Sequence, residues 1–181
     1  MNKKKITSFK VALGGIISAV SVVLMFLTGV VPTLTYAIPA IAGGLLIVIA
    51  IEIGPKFAYT VFFAVSTLSL LVVADKEAAV MYAVFFGYYP VLKGFIEKKT
   101  SGIFTWLVKY LIFNVAVILA YLAISKIFMI SYEDIAFLGK LAIPVLLMIC
   151  NIVFAIYDIA LTRILSTYIY NWRKYVRRMS K

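Results

Sequence analysis

Apolar runs of similar length, separated by short polar breaks, fill this chain. They occupy 11–31, 36–53, 57–74, 78–92, 103–124 and 138–165. A helix rises about 1.5 Å per residue, so about 20 apolar residues cross the hydrocarbon core of a bilayer. The pattern predicts an all-α integral membrane protein with six transmembrane helices. The sharpest break is Asp75-Lys76-Glu77, an acid, a base and an acid side by side with apolar residues on both flanks. A charge at the centre of a membrane helix costs about 2.5–3.5 kcal/mol even on the mild insertion scale. The break therefore belongs at a membrane surface, where the chain turns round.

The remaining breaks fix a direction. Val31-Pro32-Thr33-Leu34 is an uncharged turn of the kind expected on the outer side. Gly54-Pro55 interrupts the chain between Glu52 and Lys56, which are spaced for an interfacial ion pair. Lys93, Glu97, Lys98 and Lys99 read as a basic loop, with Pro90 kinking or breaking the inner end of span four and Tyr88 and Tyr89 in an inner aromatic belt. The stretch 126–137, with Tyr132, Glu133 and Asp134, is the longest outer connection. Of the 18 basic residues, only Lys76, Lys126 and Lys140 then fall outside. This positive-inside bias places both termini in the cytoplasm of a multi-pass protein of the cell membrane. Residues 1–181 read as one membrane domain, with 168–181 a basic, aromatic tail suited to an anionic inner leaflet.

Composition narrows the classes. The chain is 65% hydrophobic and 14% charged, against about 45–50% and about 25% in soluble domains. A net charge of +11 would suggest nucleic acid in a soluble protein. Here the bias of orientation accounts for it, and no nucleic-acid partner is expected. The start, Lys3-Lys4-Lys5 and Lys10 before an apolar run, resembles a signal peptide, but the run 11–31 exceeds the usual h-region and reads as a retained span. With no histidine and the single cysteine Cys150 in an apolar run, no metal site is expected. No nucleophile elbow, zinc-protease motif or phosphate loop is present, so neither an enzyme nor an ATP-hydrolysing chain is expected.

Candidate chemistry gathers on the outer side. Asp75, Lys76 and Glu77 come from one turn, Lys126, Tyr132, Glu133 and Asp134 from another, and Lys140 follows at the start of span six. Beneath them Tyr82, Tyr121, Asn114 and Asn151 project from spans four to six. Together these groups are candidates to line a substrate pocket; singly, Asn114 and Asn151 read as partners of each other, because an unpaired amide in apolar surroundings is costly. Asp158 lies deep in span six and reads as structurally bonded to span one or span five. Lys109 reads as snorkelling at the inner interface. Gly15 and Ala19, four residues apart in span one, form a small-residue face for another helix, in this bundle or in a partner.

Six short spans with both ends inside resemble the substrate-binding S component of an energy-coupling factor (ECF) transporter. Lys10-Val11-Ala12-Leu13 is similar to that family's opening. Ile38-Pro39-Ala40-Ile41-Ala42-Gly43-Gly44 and Ile53-Gly54-Pro55-Lys56 are similar to its second span and Gly-Pro turn. The resemblance implies a vitamin-like small-molecule substrate bound near the outer face. It also implies partners: a transmembrane coupling subunit and two ATPases, which would hydrolyse the ATP. The family's coupling face commonly carries alanines spaced by four; here Gly15 and Ala19 stand there. The alternative is a membrane scaffold or regulator without a small ligand, in which the polar groups pair with one another.

Overall fold

The computed structural model describes residues 3–127 and 142–173. Those residues are helical with short connections and contain no strand. Helix α1 spans Lys3–Thr28, and a 3-10 turn at Pro32–Leu34 leads to α2, Ala37–Glu52. Helix α3 is Pro55–Val72 and α4 is Lys76–Met81. A π turn at Tyr82–Phe86 continues α4, and α5 is Tyr89–Lys99. Helix α6 is Ile103–Ile127, and α7, Ala142–Thr167, ends in a second π turn at Tyr168–Trp172.

Local chemistry sets these boundaries. Gly54, at φ 126°, reverses the chain where Pro55 opens α3, because proline is preformed for the first turn of a helix. Asp75 is the N-cap of α4, its Oδ1 accepting from the Ala78 amide at 2.9 Å. At the end of α3, Lys76 Nζ donates to the Leu70 carbonyl at 2.9 Å, satisfying an oxygen with no partner inside the helix.

Among the described residues five helical stretches are long and apolar enough to cross a membrane: Ser8–Thr28, Pro55–Val72, Lys76–Lys99, Ile103–Lys126 and Pro144–Trp172. The expected second span is the shorter α2, whose 16 residues extend about 24 Å at about 1.5 Å per residue. It is apolar all round and buries Ile38, Ala42, Leu46 and Ile49, as a helix in the middle of a bundle does. Helices α1 and α3 pack on one side of it around Met25, Leu46, Phe62 and Val65. On its other side Ile47 joins Phe85, Tyr89, Phe113 and Phe154 in a second cluster.

The basic loop expected at 93–99 is instead helix: α5 runs to Lys99 and buries Lys93. A charge in an apolar run reads as surface unless its partner is known, and here the partner lies far along the chain. The helix is interrupted at Gly87-Tyr88, just before Pro90. Pro90 stands in the first turn of α5, after the π turn has already interrupted the ladder.

Candidate functional site

The two turns at one end of the bundle touch. Thr35 Oγ1 donates to Asp75 Oδ2 at 2.9 Å, and Tyr36 donates its hydroxyl hydrogen to Glu77 Oε1. Helix α6 ends at the same level, where Ala120 and Ile124 pack on Val80 of α4. The expected outer polar residues are thus largely structural: Asp75 caps α4 and holds Thr35, and Lys76 closes α3.

Between α4 with its π turn, α6 and α7 lies a cavity of about 440 Å³. Phe85, Phe86, Phe113, Phe154 and Tyr157 supply aromatic walls, and Glu77, Tyr36 and Tyr121 supply its polar lining. The π turn is what turns Phe85 and Phe86 toward α6 and α7. Its wide loop closes with Gly87 N donating to Tyr82 O at 2.8 Å. The turn also lies directly against α2, since a Cβ on Gly43 would run into the Phe86 carbonyl oxygen.

Of the expected substrate residues, Glu77 and Tyr121 line this cavity. Tyr82 does not; it is fully buried in the α1–α2–α3 cluster, near Phe62, and its hydroxyl has no hydrogen-bond partner among the described residues. Asn114 and Asn151 face each other across α6 and α7. Asn114 Nδ2 donates to Asn151 Oδ1 at 2.9 Å, and Asn151 Nδ2 returns a bond to Asn114 Oδ1 at 3.2 Å. Each amide also donates to a carbonyl one turn back in its own helix, Tyr110 O and Leu147 O. Lys140 lies outside the described residues, as do Tyr132, Glu133 and Asp134 and the tail beyond residue 173. The aromatic walls escaped sequence reasoning because Phe and Tyr in a membrane run look the same whether they face lipid, core or cavity.

Toward the opposite end is a buried charge network. Asp158 is 2% exposed, Lys93 2% and Lys109 3%. Lys93 Nζ lies 2.7 Å from Asp158 Oδ1, and Lys109 Nζ 2.8 Å from Asp158 Oδ2. Both ammonium groups also reach Glu97 Oε1, at 2.9 and 2.7 Å. Tyr89 adds a hydroxyl donor to Asp158 Oδ1 at 2.6 Å. Two bases and two acids cancel, and every charge has at least two opposite neighbours, the condition under which ionised groups are tolerated in a low-dielectric interior. This corrects two expectations. Lys109 does not snorkel to water, and Tyr89 is a core residue, not part of an interfacial belt. Asp158 does bond the fifth span, and α5 as well.

Beside the network is an open cleft of about 690 Å³, where Glu97, Lys109 and Asp158 meet Trp106, Thr105 and Arg163. At the same end Glu52 finds its cation in Arg173, at 3.3 Å from Nε, the counterpart expected at Lys56. On α1, the bundle is met by Gly14, Ile17, Ser21 and Met25. Gly15 and Ala19 are exposed, and a Cβ on Gly15 would meet nothing within 4 Å. Among the described residues no group of acids and cysteine could hold a metal ion. The chain matches no family model, no curated protein and no solved structure.

Proposed function

We propose that this chain is a membrane-embedded substrate-binding subunit for uptake of a small micronutrient, similar to the S component of an ECF transporter. On this reading the chain crosses the cell membrane six times, α2 being the short span, with both termini in the cytoplasm. The cavity between α4, α6 and α7 then opens near the outer face. One observation carries the reading: the aromatic cavity has the size of a small-molecule site, typically about 300–1,000 Å³, with a few polar groups among apolar walls. The exposed Gly15–Ala19 face of α1 would meet a transmembrane coupling subunit, and two ATPases would drive the cycle.

The Asn114–Asn151 pair favours a second reading. Those amides satisfy each other, as they would in a scaffold or regulator with no small ligand.

Purification from a membrane followed by a thermal-shift screen of micronutrients separates the two. A bound ligand stabilises by RT ln(1 + [L]/Kd), about 2.7 kcal/mol at a hundredfold excess over Kd. Stabilisation by one compound, with an ATPase co-purifying, is the expected result. No shift and no ATPase would leave the scaffold.

A further inference from the structure

We infer that the cavity between α4, α6 and α7 selects a flat aromatic molecule bearing an amine, and rejects carboxylates and phosphates. The inference rests on reading this cavity as the ligand site, and it adds the class of ligand. Among the described lining residues Glu77 is the only charged one. Among the described residues an anionic ligand would meet a carboxylate and no cation. An ammonium group meets the carboxylate and the open aromatic surface of the half-buried Phe86 and Tyr157, whose ring faces attract cations. Tyr36 already donates to Glu77 Oε1, and an ionised carboxylate has acceptor capacity for further donors. The bond to Tyr36 also restrains the carboxylate, so binding does not have to order it.

The walls define the rest of the ligand. Phe113 and Phe154 are stacked, with ring centroids 4.6 Å apart and planes inclined by 9°. Phe85 meets both edge-on, at 5.2 and 5.8 Å. Phe86 meets Tyr157 edge-on at 5.3 Å. Phe85, Phe113 and Phe154 are buried and back the cavity, while the half-buried Phe86 and Tyr157, held in place by that packing, keep surface open to it; fixed aromatic surface favours a planar body over a flexible chain. Charge complementarity at one end and flat walls at the other therefore specify the same kind of molecule.

The test uses the full chain in detergent and three probes that share one ring system: naphthylmethylamine, naphthylacetate and methylnaphthalene. The amine should bind at least tenfold tighter than either of the others. In Glu77→Gln that preference should vanish while methylnaphthalene binds as before. Val117→Trp, which fills the cavity from α6 and leaves Glu77 in place, should abolish binding of all three. Melting curves of both variants without probe establish that they are folded. Equal or tighter binding of naphthylacetate would overturn the inference, as would a preference that survives Glu77→Gln. Equal binding of all three, the behaviour of a cavity that simply takes lipid chains, would overturn it too. The uptake reading fails separately: amine selectivity with no coupling subunit or ATPase would leave this inference standing and remove transport. Uptake of an anionic micronutrient would do the reverse.

Discussion

Lys93 and Asp158 are joined twice: the Lys93 ammonium lies 2.7 Å from the Asp158 carboxylate and donates to the Asp158 backbone carbonyl at 3.1 Å. One lysine thus fixes both the side chain and the main chain of α7 against α5.

Asp158→Asn should destabilise the protein by about 3–5 kcal/mol, because it leaves two buried ammonium groups sharing the single carboxylate of Glu97. Asp158→Asn combined with Lys109→Met leaves one acid and one base, Glu97 and Lys93, still paired. The double variant should therefore lose markedly less than the sum of the single losses. Chemical or thermal unfolding in detergent measures the difference, and additive losses would show that the four charges do not act as a unit.

Asn114→Leu should cost about 1–2 kcal/mol by leaving the Asn151 amide without its partner. Asn114→Leu with Asn151→Leu removes both polar groups and should recover most of that loss. A double variant as unstable as the two single ones combined would mean that the pair is not what holds α6 to α7.

Gly43→Ala and Gly15→Ala should differ in sign. At Gly43 the new methyl meets the Phe86 carbonyl, and overpacking of this kind costs about 1–3 kcal/mol. At Gly15 it meets open space, and alanine in a helix is favoured over glycine by about 0.5–1 kcal/mol. Unfolding of the two variants side by side checks both signs. On the proposed reading, Gly15→Leu should keep the fold and lose the co-purifying coupling subunit.

Single cysteines in a Cys150→Ser background should report which ends share a side. Val31→Cys and Lys126→Cys should react with an impermeant maleimide from outside intact cells, and Lys99→Cys only after the membrane is opened. Labelling of positions 31 and 126 from opposite sides would separate the two turns that the cavity needs together.

The apolar helical segments and the breaks at Gly54-Pro55 and Asp75 were legible in the hydrophobic pattern because that pattern is local; the end of α5 at Lys99 was not. The asparagine pair was legible for a different reason, since two lone amides at similar depth have few other partners. The charge network was not. Lys93 is paired with a residue 65 positions away, and a hydropathy profile cannot register a charge cancelled from another helix. The cavity was legible only at its rim, in Glu77 and Tyr121, where polar residues stand out. Its walls are aromatic residues whose role depends on helix rotation, and the π turn sets that rotation.

That turn has a consequence for the whole Lys76–Lys99 segment. One extra residue in a helix advances its angular phase by about 100°. The half before Tyr82 aims Glu77 at the cavity, while the half after Phe86 aims Lys93 and Glu97 at Lys109 and Asp158. Deleting one residue within Tyr82–Phe86 would keep the segment as greasy as before yet swing the two halves out of step. The cavity acid and the charge quartet could then no longer both be in place.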